Sequence, residues 1–197
     1  MKTGIFGGAF NPVHLGHIKL AENYLDSLKL DRVIFIPTAV APHKSSDEFA
    51  SNENRINMLA LATEKNEKFE ISDIEFKRQG KSYTFDTLCQ LKSLYPDDEF
   101  FLIMGSDQFL YFNNWYKARE IAEMATLCTA SRNAEDYKKL IEFRNENSYL
   151  ENAVICDFEV FEISSSELRD MIKNKKNISS FVDENVEKYI RENNLYV

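Results

Sequence analysis

The chain has 197 residues, which suits one α/β domain with a full core and is short for two. Hydrophobic residues make up 44% and charged residues 28%, as in ordinary soluble globular proteins. The formal net charge of −8 argues against the clustered basic surface that binding to a nucleic-acid backbone requires, but it allows a small anion in a local positive pocket.

The cysteines and the apolar runs indicate in which cellular compartment the protein is expected. Cys89, Cys128 and Cys156 lie far apart and form no C-x-x-C pair. We therefore expect buried thiols in a reducing compartment, and neither disulfides nor a zinc site. The N-terminus has no signal-peptide pattern, and no apolar run approaches the ~20 residues of a membrane span. The sequence thus predicts a cytoplasmic protein without a membrane partner.

Apolar periodicity predicts strands that alternate with helices. In chain order, strands are expected at 3–7, 32–37, 69–71, 99–104, 125–130 and 153–156, with a second extended piece at 160–163. Helices are expected at 15–29, 52–64, 83–94, 117–123, 134–146, from 164 onward and at 183–194, and polar loops at 38–51 and 75–82. This alternation predicts an α/β fold with a Rossmann-like, doubly wound, mostly parallel sheet and helices on both faces. We expect one domain over 1–197, with a helical portion from about 164 to 197 packed on it.

The most informative stretch, residues 4–17, reads GIFGGAFNPVHLGH. A short apolar strand runs into the Gly7-Gly8 turn, and the chain then crosses a proline to His14 and His17. Glycine lets a ligand approach the main chain closely, and a helix that starts after such a turn offers unpaired N–H groups to a phosphate. The stretch therefore predicts a phosphate site in which both imidazoles are further donors.

Other polar segments are expected at the same edge of the sheet. Residues 37–44, 105–107 and the run to Ser164 all follow predicted strands. The carboxyl ends of parallel strands share one edge, where ligands bind in open α/β sheets. We therefore expect these segments to converge on the glycine turn.

Several well-known signatures fail. The glycine turn is not G-x-G-x-x-G, and Gly80-Lys81-Ser82 is not the end of a P-loop because Glu75 stands where glycine is required. No serine satisfies the G-x-S-x-G pattern of hydrolases.

The turn and its histidines resemble the His/Thr-x-Gly-His motif of the nucleotidyltransferase superfamily, and nearly the whole chain resembles bacterial nicotinate-nucleotide adenylyltransferases. The segments that carry this resemblance are 7–17 (GGAFNPVHLGH), Pro37 through Pro42-His43-Lys44, 55–58 (RINM), 82–88 (SYTFDTL), 105–109 (GSDQF) with Trp115, 163–169 (ISSSELR), and the closing Tyr189-Ile190 and Leu195-Tyr196. The resemblance implies adenylyl transfer from ATP to nicotinate mononucleotide, which gives deamido-NAD and pyrophosphate in NAD biosynthesis.

The resemblance also assigns roles to residues. His14, His17, Lys44 and Arg169 are expected to act on the phosphates at the reacting centre. ATP binding is expected at Gly7, Gly8, Ala9, Phe10, Gly16, Gly105, Asp107, Ser164 and Ser165. The nicotinate nucleotide is expected to contact Asn11, Lys44, Tyr83, Thr84, Trp115 and Tyr116. Mg²⁺ is expected to arrive with the ATP phosphates, without a metal site made of protein ligands.

Plainer roles compete for several of these residues. Ser164 can be a helix cap, Asp107 a helix N-cap, Trp115 part of the core, and His43 an ordinary loop residue. Ala9 and Asn11 stand where the family more often has Thr or Ser and Asp, and Arg132 lacks its usual Arg-Pro-Gly context, which leaves it a weak candidate for the ATP tail.

Three alternative functions stay open. The acceptor could be nicotinamide mononucleotide or phosphopantetheine, although His14 and the Trp115 region disfavour the latter. The chain could also be a nucleotide-binding regulatory module without turnover. The sequence is compatible with a homo-oligomer and does not fix the strictness of acid-over-amide selection.

Overall fold

The computed structural model describes residues 1–39, 49–78, 81–158, 161 and 163–197. In this part of the chain, six parallel strands form one sheet in the order β3-β2-β1-β4-β5-β6. The strands are β1 (Lys2–Gly8), β2 (Arg32–Pro37), β3 (Phe69–Ile71), β4 (Glu99–Met104), β5 (Ala125–Ala130) and β6 (Val154–Cys156). This arrangement confirms the predicted Rossmann-like α/β fold.

Helices cover both faces of the sheet. They are α1 (Leu15–Ser27), α2 (Asn52–Thr63), α3 (Thr84–Leu94), α4 (Ser106–Leu110), α5 (Ala118–Met124), α6 (Ala134–Glu146), α7 (Ser165–Lys173) and α8 (Glu184–Glu192), with short 3-10 turns at Phe112–Asn114 and Ser148–Leu150. Side-chain caps define several of the starts, because Ser51, Asn133 and Asp183 each accept a hydrogen bond from a backbone N–H of the first turn.

Strand β1 lies in the middle of the sheet and divides the core in two. Its residues alternate between the faces, so Phe6 joins the cluster formed with α1, α2, α7 and α8, whereas Ile5 joins the cluster formed with α3, α5 and α6. On either side, Ile5 pairs with Ile34 of β2 and with Leu102 of β4. The carboxyl end of β1 is therefore flanked by the ends of β2 and β4.

The C-terminal helices α7 and α8 pack on the same face of the sheet as α1 and α2. Leu168, Val186 and Ile190 are buried in the same core cluster as Phe6. The backbone N–H of Leu15 at the start of α1 donates to the carbonyl of Phe181 over 2.8 Å. None of the helices in the described part is long and apolar enough to cross a membrane.

The structure corrects the sequence prediction at a few places. Helix α4 was not predicted, because five residues are too few to show a helical period. The expected polar loop at 75–82 holds a buried carboxylate, since Glu75 accepts a hydrogen bond from Thr87. Residues 161 and 163, from the expected extended piece at 160–163, are not in a strand, and 160 and 162 fall outside the described residues.

Candidate active site

The glycine turn lies at the carboxyl end of β1 and leads directly into α1. Gly7 has open space where a Cβ would stand, whereas a Cβ on Gly8 would lie 2.9 Å from the ring of Phe10. Phe10 has a positive φ of 45° and a ring that is buried against Phe6 and Phe35. The Phe10 side chain therefore anchors the turn in the core, and only its main chain could reach a ligand.

The two histidines lie against each other at the start of α1. His14 is the N-cap residue and His17 lies in the first turn, with ring centroids 3.6 Å apart and an angle of 32° between the rings. The backbone N–H of His14 donates to Nδ1 of His17 over 3.2 Å. Because Nδ1 accepts, the proton of a neutral His17 must sit on Nε2. This hydrogen bond fixes the tautomer and makes Nε2 a donor.

Both imidazoles are neutral at physiological pH. Burial lowers the pKa of His14 to about 4, and the carboxylate of Glu167 only partly opposes this effect. Burial also lowers the pKa of His17 well below its usual value, and the neighbouring His14 lowers it further. Nδ1 of His14 is buried without a hydrogen-bond partner among the described residues. The pair is therefore a set of uncharged donors that can respond to an arriving anion.

A cleft of about 590 Å³ opens over the two histidines at the carboxyl edge of the sheet. The first residues of α1, α4 and α7 all line it, so the positive ends of the two longer helices, α1 and α7, lie beside the same space. The predicted residues that the structure brings together along this cleft are Gly7, Gly8, His14, Gly16, His17, Gly105, Asp107, Ser164 and Ser165. The predicted convergence is thus present for 105–107 and Ser164, and Thr38 bonds to Gly8 at the glycine turn, while residues 40–44 lie outside the described part of the chain.

Helix α7 is joined to the glycine turn through its first residues. Ser164 caps the helix by accepting from the N–H of Glu167, and its own N–H and hydroxyl donate to the Glu167 carboxylate. The capping alternative for Ser164 is therefore confirmed. The hydroxyl of Ser165 donates to the carbonyl of Pro12 over 2.8 Å. This bond fixes the distance between the two helix starts that face the cleft.

Arg169 does not line the main cleft. Its Nη1 donates to the backbone carbonyl of Asn11 over 3.0 Å and its Nη2 to the hydroxyl of Ser166 over 3.2 Å. The guanidinium lines a separate cavity of about 330 Å³ beside Tyr196. In this position Arg169 stabilises the segment after the glycine turn through the carbonyl of Asn11, on the side away from the cleft.

Asn11 and Ala9 also lie behind the turn. Asn11 is buried, and its side-chain oxygen accepts from the N–H of Ala50 over 3.0 Å and from the hydroxyl of Tyr196 over 2.8 Å. The carbonyl of Ala9 accepts from Arg55 over 2.9 Å. These contacts use the polar groups of the turn that point away from the cleft.

Asp107 and Arg132 form an exposed ion pair in the lining of the cleft. Nη2 of Arg132 lies 3.5 Å from Oδ1 of Asp107, and both side chains are more than half exposed. The N-cap of α4 is Gly105, so the capping alternative for Asp107 is wrong: this residue lies within the first turn. A Cβ on Gly105 would lie 2.8 Å from Oδ1 of Asp107, an exposed carboxylate that could move aside.

The residues expected at the pyridine ring form a second group outside the cleft lining. Tyr83 is the N-cap of α3, Thr84 is its first residue, and the rings of Tyr83 and Tyr116 lie 4.8 Å apart. Trp115 is partly buried and packs on Phe112 with ring centroids 5.3 Å apart. Helix α3 precedes the parallel strand β4, so its first turn lies at the same edge of the sheet as the cleft.

Lys44 and His43 lie outside the described residues. Within the described residues, no group of three or more His, Cys, Asp or Glu side chains is placed to hold a metal ion. The cleft also contains Lys19, Leu20 and Asn23, which the sequence argument missed. They follow Gly16 at helical spacing on one face of α1, and that spacing was the available signal.

Comparison with known proteins identifies the family. The model of the cytidylyltransferase-like family matches residues 5–171. The nicotinate-nucleotide adenylyltransferase of Bacillus subtilis is 36% identical over 99% of this chain and 98% of its own length, and a probable nicotinate-nucleotide adenylyltransferase of Carboxydothermus hydrogenoformans is 42% identical over the same shares. Among solved structures, the nicotinic acid mononucleotide adenylyltransferase of Plasmodium falciparum complexed with NaAD shares the fold, with a TM-score of 0.79 at 20% identity over 100% of this chain and 98% of the other. The chain therefore belongs to the cytidylyltransferase-like family and, within it, to the nicotinate-nucleotide adenylyltransferases.

Proposed function

We propose that this chain transfers AMP from ATP to nicotinate mononucleotide, which yields deamido-NAD and pyrophosphate as a step of NAD biosynthesis. The observation that carries the proposal is the stacked pair of neutral imidazoles, His14 and His17, at the N-terminus of α1 in the cleft. The match to nicotinate-nucleotide adenylyltransferases over 99% of the chain supports the choice of substrates.

The reaction needs positioning more than proton abstraction. An oxygen of the mononucleotide phosphate forms a bond to the α-phosphorus of ATP, and the bond from that phosphorus to the bridging oxygen of pyrophosphate breaks. A phosphate monoester has a second pKa near about 6, so it is a nucleophile at neutral pH without a general base. The chain has to align two anions and stabilise the charge that develops on the phosphates.

The histidines suit that task. Nε2–H of His17 is a donor because its Nδ1 is held by the backbone of His14. Donors that are already oriented stabilise developing charge without reorganisation during the reaction. A bound triphosphate would also raise the pKa of both imidazoles and strengthen their hydrogen bonds. We therefore assign His14 and His17 to the phosphates at the reacting centre.

The other assigned residues surround this centre. The N–H groups of Gly7, Gly8 and the first turn of α7 are proposed to bind ATP, with Asp107 placed for ribose hydroxyls. Arg169 contributes by fixing the Asn11 carbonyl, and would have to leave it to clamp a phosphate directly. Lys44 is assigned to the phosphates from the family resemblance.

Magnesium is proposed to enter as part of MgATP. Mg²⁺ keeps several waters and binds through substrate phosphates in many nucleotide enzymes. The partly exposed carboxylate of Asp107 in the cleft is compatible with a hydrated ion on the phosphates. With free thiols at Cys89, Cys128 and Cys156, we also propose that the protein works in the cytoplasm.

The pyridine ring is proposed to bind at the start of α3. Tyr83 is an N-cap without a side-chain cap bond, so the first N–H groups of α3 are available to the ring carboxylate. Tyr116 and Trp115 lie at the same edge and can offer a backbone N–H and a stacking surface. This site would distinguish the acid from the amide through main-chain donors.

The test is pyrophosphate release from MgATP with nicotinate mononucleotide, nicotinamide mononucleotide or phosphopantetheine offered separately. Turnover with the first, at least about 100-fold above the second, supports the proposal; equal rates with both pyridine nucleotides, or no turnover, contradict it. His17→Ala should lower kcat about 10²–10³-fold, as loss of a transition-state donor does. His14→Ala and the double variant test whether the pair acts as a unit, in which case the losses are less than additive.

A further inference from the structure

A buried hydrogen-bonded group lies directly behind the start of α3. The hydroxyl of Thr87, in the first turns of α3, donates to Oε1 of Glu75 over 2.7 Å. Nη2 of Arg78 donates to the same hydroxyl oxygen and to the hydroxyl of Ser82, each over 2.6 Å. Glu75 and Arg78 therefore connect the stretch that follows β3 to Thr87 and to the segment 82–84, which enters the helix.

The charges in this group do not balance. Nη2 of Arg78 lies 3.7 Å from Oε1 of Glu75, whose side chain is 7% exposed. The guanidinium of Arg55, which is 0% exposed, also interacts electrostatically with Glu75 and lies 4.9 Å from the ring centre of Phe76. Arg55 donates its hydrogen bonds to the carbonyls of Ala9 and Thr38 and to the side chain of Asn52, so it acts on Glu75 at longer range than Arg78 does. Together, the two guanidinium groups and the one carboxylate carry a net charge of +1.

The hydrogen-bonding inventory is consistent with this excess. Nε and Nη1 of Arg78 and Nε of Arg55 are buried without acceptors among the residues that the structure describes, as is one oxygen of Glu75. Nearer to solvent, Asp86 in the first turn of α3 is negative, and Lys117, whose ammonium lies 3.9 Å from the ring centre of Phe85, is positive. Lys81, directly before the segment 82–84, is a further exposed cation. Solvent screens these outer charges more strongly than the charges of Glu75, Arg78 and Arg55.

We propose that Glu75, Arg78 and Arg55 set the preference for an acidic over an amidated pyridine ring. The two candidate acceptors, nicotinate and nicotinamide mononucleotide, differ at the ring substituent by one negative charge. A net positive charge behind a helix N-terminus, in a partly desolvated environment, stabilises the carboxylate and does little for the amide. The three residues act through the segment 82–84 and do not touch the substrate, so they are positioning residues. This inference rests on the proposed function and on the ring site at the start of α3.

The experiment measures kcat/KM for nicotinate mononucleotide divided by kcat/KM for nicotinamide mononucleotide. This ratio does not depend on the fraction of enzyme that is folded. A unit charge about 10 Å from the ring carboxylate, at an effective dielectric constant of about 20, changes the ratio about tenfold. Glu75→Gln should therefore raise the ratio about tenfold, and Arg78→Met should lower it about tenfold.

Two further variants separate charge from packing. Arg78→Lys keeps the charge and loses the forked hydrogen bonds, so it should hold the ratio within about threefold of the wild type. Lys77→Met is the matched control: it removes a cation next to Arg78 in sequence, but Lys77 is 72% exposed and pairs with Asp73. Solvent screening should keep its ratio within about twofold of the wild type.

The outcomes are distinguishable. Opposite shifts in Glu75→Gln and Arg78→Met, with Arg78→Lys close to the wild type, support the inference. The inference is wrong if both variants move the ratio in the same direction or leave it unchanged. It is also wrong if Arg78→Lys lowers the ratio as much as Arg78→Met does. In each case, turnover of nicotinate mononucleotide by the wild type still supports the proposed function. If the wild type does not use nicotinate mononucleotide at all, the proposed function itself fails.

Discussion

The hydroxyl of Tyr196 donates a hydrogen bond to the side-chain oxygen of Asn11 across 185 positions of sequence. This oxygen also accepts from the N–H of Ala50, and Arg169 holds the backbone carbonyl of the same asparagine. One buried amide in the glycine turn thus connects the end of the chain, the start of α2 and helix α7. The position of the histidines depends on contacts that lie on the far side of the turn.

Tyr196→Phe tests this connection. Removing the hydroxyl leaves the Ala50 bond to Asn11 in place, so the free energy of unfolding should fall by about 1 kcal/mol. Urea unfolding monitored by circular dichroism measures the change. Tyr111→Phe is the control, because the Tyr111 side chain is exposed and should change stability by less than about 0.5 kcal/mol. Equal effects of the two variants would contradict the assigned role of Tyr196.

The lowered pKa values of His14 and His17 predict an acid-labile fold. The unfolded chain binds protons at both histidines below pH about 6.5, whereas folded His14 does so only near pH 4. Stability should therefore fall as the pH falls from about 6.5 toward 4, by up to about 1.4 kcal/mol per pH unit for each histidine. Urea unfolding at pH 7.5, 6.0 and 5.0 measures this slope. His14→Asn should flatten it, and a slope that is the same in the variant would refute the assignment.

Asp98 connects the first strand to its neighbours at the opposite edge of the sheet. Its carboxylate accepts from Thr3 over 2.7 Å, from Arg32 over 3.0 Å and from the N-terminal ammonium over 3.1 Å. Burial raises the pKa of Asp98, but these three donors outweigh burial and hold it below its usual value.

Asp98→Asn should lower the free energy of unfolding by about 3 kcal/mol. This value is at the lower end of the range for breaking a buried ion pair, because Arg32 keeps its bond to Glu70. Thermal and urea unfolding measure the loss. Glu142→Gln, which breaks an exposed pair with Lys138, should cost less than about 0.5 kcal/mol. A small loss in Asp98→Asn would mean that the network contributes little.

Two glycines of the site should respond differently to alanine. A Cβ on Gly16 would lie 3.0 Å from Nδ1 of His14 and 3.2 Å from the carbonyl of Phe161, so Gly16→Ala must displace the imidazole. It should lower kcat about tenfold or more, a cost typical of a misplaced group. Gly7→Ala meets nothing within 4 Å and should leave the melting temperature unchanged. A loss of activity in Gly7→Ala at an unchanged melting temperature would then indicate that the added methyl group contacts the substrate.

Local signals made much of the site predictable. Gly7, His14 and His17 lie within one short stretch that follows a short apolar strand, so the turn, the helix and the phosphate site follow from neighbouring residues. The contacts that hold the site from behind join residues far apart: Arg55 reaches Ala9 across 46 positions, and Tyr196 reaches Asn11 across 185. No periodicity reports such contacts. Arg169 illustrates the limit, because the motif predicts its presence near the turn and cannot predict which side of the turn it faces.

The central position of β1 has a consequence for synthesis. Of the strands in this sheet, β1 is synthesised before the others, yet one of its edges pairs with β2 and the other with β4, whose residues follow about 100 positions later. Until Glu99–Met104 are made, one edge of β1 stays unpaired, and open edges invite pairing with other chains. The longer the segment from β1 to β3 exists without β4, the more time it has to aggregate. The soluble yield on overexpression should therefore depend on the supply of chaperones and on the rate of elongation.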